Sequence, residues 1–209
     1  PVTKMNETTR TLLSRGTEER ILEVAFPTVD AFHEDVAALE LLSVILAGGE
    51  MSRLYRELRL TPEPTRSVAT NLFVPLERGA FVVHALPYAG LEGKLLNQLL
   101  RELKILKEKS VSPEELERSK LTLEKEIIFN DETAEGRAKT LGYFQLTYGD
   151  FAEEERYRSR ILGVTTRQIQ EVAKRYLDFE RMGLALLVPK QDSLPTAEKI
   201  QTWMTNARP

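Results

Sequence analysis

Metal-assisted hydrolysis needs about three protein ligands converging on one ion. This chain offers two histidines, His33 and His84, separated by fifty-one positions. His33 is followed by Glu34, the opening of the helical zinc motif H-E-x-x-H, whose second histidine lies one turn on. Position 37 is alanine, so that ligand is missing. The inverted motif H-x-x-E-H would need Glu and His at positions 36 and 37, which hold Val36 and Ala37. His33 therefore reads as a solvated histidine in the first turn of a helix. His84, between Val83 and Ala85, reads as a satisfied or half-exposed sheet residue. No metal site and no cofactor are expected in this chain.

Other chemistries fare no better. The dipeptide Gly48 and Gly49 lacks the flanking pattern of a phosphate-cradling loop and reads as a helix stop. The acidic run Glu153, Glu154 and Glu155 sits where a helix should begin, and there negative charge complements the macrodipole. No G-x-S-x-G motif is present, and without cysteine there is neither a thiolate nucleophile nor a disulfide framework. No catalytic residue is assigned. A net charge of −3, with 29 basic residues dispersed along the chain, gives no electrostatic reason to expect nucleic acid. No apolar run approaches the roughly 18–20 residues that span a bilayer, so no membrane partner is expected. The opening residues, PVTKMNETTR, hold no signal-peptide core, and a start at Pro1 reads as a segment of something longer. A soluble protein is expected, with the cytoplasm slightly favoured over the periplasm.

The elements that would position any site follow from periodicity. Residues 1–17 are polar and Thr-rich and read as an arm or linker. Alternation puts Leu22, Val24 and Phe26 on one face of a strand over 20–26. Asp30 is placed to cap a helix over 31–47, which buries Val36, Leu39, Leu42 and Leu46 and stops at Gly48 and Gly49. A short helix spans 51–60, and the prolines at 62 and 64 then break regular structure. Strands over 67–75 and 80–87 form a hairpin across a Gly79-containing loop. Phe81, Val83 and Ala85 share one face of the second strand, and His84 lies on the other. Leucines at 95, 96, 99, 103 and 106 mark an amphipathic helix over 91–109. Ser112 with Glu115 and Thr165 with Gln168 are capping boxes, and Asp150 with Glu153 follows the same logic. Helices are read over 113–129 and 133–148. A last strand runs from 182 to 188, and 190–209 is a tail or linker with helix-like apolar spacing at Ile200 and Met204.

Strands segregated from a block of helices mean α+β. The stretch LLSVILAGGEMSRLYRELR at 41–59, preceded by DVAALE at 35–40, resembles the C-terminal-type repeat of the M16 metallopeptidases, the family of pitrilysin, insulinase and the mitochondrial processing peptidase. In that family the repeat reads D-x-x-A-L-x-L-L-x-x-I-L-x-G-G-x-x-S-R-L-x-x-x-L-R. The segments EELERSK at 114–120 and LTYGD at 146–150 also look like stretches of it. The resemblance covers 18–189 in element order and implies a two-layer sandwich, a mainly antiparallel sheet with helices packed on one face.

The resemblance implies more than a fold. The catalytic repeat of the family carries H-x-x-E-H and zinc, and the C-terminal-type repeat of catalytic assemblies supplies an Arg at the end of L-R and a Tyr seven residues later for substrate binding. Leu58 and Arg59 match, whereas the later position is Arg66. Arg59 is thus a substrate-binding candidate, against the plainer reading of an ion-pairing surface arginine. The function implied is a non-catalytic domain of an M16-type zinc peptidase. It would wall the chamber and bind peptide substrate beside a catalytic repeat, in cis or on a partner subunit, with the zinc in that other repeat. The alternative is a scaffold or regulatory subunit that binds peptides or proteins without hydrolysis.

Overall fold

Every second residue of the inner strands is buried, and that alternation decides the architecture. In the computed structural model, which describes residues 9–59 and 64–207, five strands form one sheet. They are β1 (Thr9–Arg15), β2 (Ile21–Pro27), β3 (Thr65–Phe73), β4 (Ala80–Pro87) and β5 (Gly183–Pro189), in the order β1-β5-β2-β4-β3. The pairs β2–β4, β2–β5 and β3–β4 are antiparallel, and β1–β5 is parallel. Leu22, Val24 and Phe26 meet Ala85, Val83 and Phe81 across the ladder, and all six are buried. Leu184, Leu186 and Val188 extend that face through β5. The intervening residues are only partly buried, so one face carries the core and the other stays open.

The helices cover the buried face. They are α1 (Val36–Ala47), α2 (Arg53–Arg59), α3 (Glu92–Glu108), α4 (Pro113–Asp131), α5 (Ala134–Tyr148), α6 (Glu153–Gly163), α7 (Thr166–Tyr176) and α8 (Ala197–Ala207). Leu39 and Leu42 of α1 and Leu96, Leu99 and Leu103 of α3 join Val24, Phe81 and Val83 in one hydrophobic cluster. Each such fully buried side chain contributes about 1.5–3 kcal/mol relative to leaving it in water. His84 and Asn71 lie on the open face, His84 half-buried and Asn71 exposed. The α+β two-layer reading, with a mainly antiparallel sheet and helices on one side, describes this molecule.

Four local readings need correction. Residues 1–17 are not an arm throughout, because Thr9–Arg15 is a strand running alongside Gly183–Pro189. Its two leucines are adjacent rather than alternating, so no period shows, yet Leu12 packs against the core. The stretch 190–209 is not merely a tail. Within it Ala197–Ala207 is a helix on α3, with Ile200 and Met204 buried and Trp203 seated where a Cβ at Gly93 would stand. The first long helix starts at Val36, not 31, since Asp30 accepts the Phe32 amide hydrogen in a turn instead of capping a helix. Asp150 likewise accepts from the Ala152 amide, two residues on, and Ala152 itself precedes the helix. The proline break at 61–63 and the end of the predicted helix at 60 lie outside the described residues.

Candidate functional site

The turn between α1 and α2 is the segment with the sharpest sequence pattern, and its polar groups are used internally. Gly49 adopts φ +96°, a left-handed conformation that favours glycine, and a Cβ at Gly48 would meet Val44 at 2.5 Å. The Ser52 hydroxyl donates to the Gly49 carbonyl at 2.6 Å, closing the turn. Arg53 makes a two-pronged contact with Glu115, Nε to Oε1 and Nη2 to Oε2, each 2.7 Å. Burial pushes the Glu115 carboxyl up, but the hydrogen bonds and charge of Arg53 outweigh it and hold the group below the usual range. Leu54 and Leu58 are fully buried. The pattern G-G-x-x-S-R-L thus codes for a corner that locks α2 to α4.

The two histidines stand in different parts of the fold. His33 lies in the loop before α1, where its Nδ1 accepts from the Asp35 amide at 3.1 Å. His84 is on the open sheet face with Nδ1 3.0 Å from the Glu23 carboxylate. Among the described residues no three His, Cys, Asp or Glu side chains are grouped so as to hold a metal ion. Arg59 is the last residue of α2, and its side chain falls outside the described set. Arg66 is exposed on the edge strand β3, with its guanidinium over the Tyr88 ring at 5.9 Å. The ring beside that position is thus Tyr88, on the loop after β4.

A concavity lies elsewhere. A groove of about 710 Å³ runs between α1, the β3–β4 loop, α5 and the start of α6. Glu40 and Val36 come from α1, Leu72 and Leu76 from the hairpin, and Tyr143, Tyr148 and Tyr157 from the outer helices. The aromatic rings support one another: Phe144 stacks on Tyr148 at 5.7 Å, Tyr143 meets Tyr148 edge-on at 6.2 Å, and the Tyr148 hydroxyl donates to the Ala31 carbonyl at 2.7 Å. Burial, with the nearby Glu126 carboxylate adding to it, pushes Glu40 up to about 7. Burial also raises the Tyr157 hydroxyl well above its ordinary value. This groove was not apparent from sequence. Its one local signal is Glu40 itself, a lone acid inside the otherwise uncharged helix VAALELLSVILA.

Comparison with known proteins agrees with the geometry. The family description "Peptidase M16 inactive domain" matches residues 2–123. An uncharacterized zinc protease of Mycobacterium tuberculosis is 28% identical over 187 residues, covering 88% of this chain and 42% of that protein. Its counterpart in Mycobacterium leprae is 28% identical over 179 residues, covering 86% and 40%. The chain therefore spans about two fifths of the length of the curated relatives it matches. Among solved structures, a protease from Helicobacter pylori superposes with a TM-score of 0.82 at 19% identity, over 89% of this chain and 45% of that one. The inactive peptidase domain of a zinc protease candidate from Bordetella parapertussis gives 0.73 at 22% identity, over 88% of this chain and 98% of that one. At these identities the structures show the fold.

Proposed function

Because the chain belongs to the M16 peptidase family, as an inactive domain of it, we propose that it is the non-catalytic repeat of a zinc-dependent peptidase. The match of the inactive-domain description to residues 2–123 carries this reading. Relatives named zinc proteases and more than twice as long support it, because they leave room for a second, metal-bearing repeat. Such a repeat, in cis or as a partner subunit, holds the zinc and its water. This domain forms part of the chamber wall and binds unfolded peptide.

The physical basis for peptide binding is the sheet. The strands β1 and β3 are its edges, and an extended peptide can add to such an edge through backbone hydrogen bonds. Arg59, at the end of α2, is the side chain proposed to reach a peptide carbonyl, because guanidinium presents a rigid fork of donors. The absence of the family tyrosine at Arg66 leaves that arginine without its usual companion. Among the described residues no helix is long and apolar enough to cross a membrane.

The test is reconstitution. The reading frame that contains this chain, or its neighbour, should encode a repeat bearing H-x-x-E-H. That repeat should cleave an unstructured peptide, with chelator sensitivity, only when this domain is present. Cleavage at full rate by the zinc-bearing repeat alone would remove the domain from the activity. Absence of any such repeat from the same polypeptide and its neighbours would leave the scaffold reading.

A further inference from the structure

Glu40 is an anomaly in the best-packed helix of the molecule. It is half-buried and lines the groove. Among the described residues it has neither an ion-pair partner nor a hydrogen-bond donor. An uncompensated carboxylate in that setting is costly unless something supplies the missing countercharge. Among the described residues the one cation lining the groove, Lys139, is at the rim and pairs with Glu135 at 2.7 Å. Tyr143, Phe144 and Tyr148 add aromatic rings, whose quadrupoles attract positive charge, while the Tyr157 ring already lies beneath Arg160.

From this geometry we infer that the groove is a receptor for one basic side chain, lysine or arginine, of an extended peptide, with the cation against the Glu40 carboxylate and its methylene stem along the tyrosine rings. The inference rests on the peptide-binding reading above and adds a specificity to it. Charge complementarity selects the occupant. The groove holds one unpaired acid, a second carboxylate (Glu126) nearby, and a wall of apolar and aromatic side chains. An uncharged apolar residue would satisfy the rings and leave the acid unanswered. An acidic residue would repel it.

The charged and titratable groups facing the site are Glu126 from α4, Lys139, Tyr143 and Tyr148 from α5, and Tyr157 from α6, itself beneath Arg160. At about pH 8 Glu40 is ionised and the tyrosines are neutral. There, a short unstructured peptide with one central lysine is compared with its norleucine twin, and n-butylammonium serves as a peptide-free probe. Binding is read from the methyl NMR shifts of Val36 and Leu72, which line the groove. We expect the lysine peptide to bind about tenfold more tightly than the norleucine peptide. Glu40→Gln should abolish the preference while norleucine affinity stays within about twofold, and Tyr143→Leu, at a half-exposed position, should reduce it. A lysine preference that survives in Glu40→Gln, or equal binding of the two peptides, overturns the inference and leaves peptide binding standing. If neither peptide binds but butylammonium moves the methyls of the wild type and not of Glu40→Gln, the cation site stands and the peptide reading falls. No shift with either probe class removes both.

Discussion

Two helices of similar length divide the labour of this domain. In α1, ten of 12 residues are buried, and in α5 only Phe144 of 15 is. The first is wrapped by sheet, α2, α4, α6 and α7. The second lies on the outside, with Tyr143 and Leu146 exposed, the latter at 86%. A helix buried all round has no solvent face to vary and serves as scaffold. A helix that keeps apolar side chains in water retains surface for something else to cover. Glu40, on the scaffold helix but facing the groove, is where the two regimes meet.

The largest effects should separate the two helices. Leu42→Ala in α1 should cost about 3–4 kcal/mol, the loss of a fully buried leucine plus the cavity it leaves. Leu146→Ala in α5 should stay within about 0.5 kcal/mol, as exposed substitutions do. Urea unfolding of both variants measures the contrast, and equal costs would mean that α5 is not peripheral.

Glu40 sharpens the comparison through pH. Its folded pKa of about 7 lies above the ordinary carboxylate value of 4.5, so between these values the native state binds more protons than the unfolded chain. Stability from this group is therefore fully present below pH 4.5 and lost as pH rises through 7, to a ceiling of about 3 kcal/mol. Glu40→Gln should flatten that slope, so the difference between variant and wild type in denaturant midpoint should grow steadily from pH 4.5 to 7. A constant difference across the window would show that Glu40 titrates normally.

A smaller effect tests the α1–α2 corner. Glu115→Ala leaves the half-buried Arg53 without its two-pronged partner and should cost about 1–3 kcal/mol. Glu124→Ala, an exposed change farther along the same helix, should cost almost nothing by the same unfolding assay.

The smallest expected effect is on chemistry. Arg66→Tyr restores the family's tyrosine near Arg59, yet hydrogen bonds to a developing charge lower a barrier only where a nucleophile is already positioned. Neither wild type nor Arg66→Tyr should cleave unstructured peptides, with or without added zinc, and elemental analysis after dialysis should find less than ~0.1 zinc per chain. Chelator-sensitive cleavage that survives repurification would reveal a site that the two histidines do not suggest.

What was legible in the sequence depended on whether the signal was local. The stop at Gly48 and Gly49 needs only backbone conformation, and the capping box of Thr165 and Gln168 closes within one turn, both partners bonding as the motif requires. The alternation of Phe81, Val83 and Ala85 located a core strand because one sheet face excludes water throughout. Thr9–Arg15 was missed because an edge strand with adjacent leucines has no period, and its identity comes from a partner far along the chain. Asp150 followed a capping pattern and instead bonded two residues on, where a turn competes with a cap. The groove was invisible for the same reason as β1. It needs α1, the hairpin loop and two later helices in place at once, and the lone acid Glu40 among apolar neighbours is its one local trace, which went unread.

The parallel ladder between β1 and β5 has a consequence in time rather than in space. It joins Thr9 to Gly183, a separation of 183 − 9 = 174 residues. Closing so long a loop carries an entropic cost before any ladder bond repays it, so this contact belongs late in folding. At roughly 5–20 residues per second on the ribosome, β1 waits about 10–35 s after its own synthesis for β5 to be made. Throughout that interval its strand-forming residues have no native partner, and β2 keeps one side of its backbone unpaired. A chaperone that shields extended segments would find its substrate at β1, long before β5 is there to pair with it.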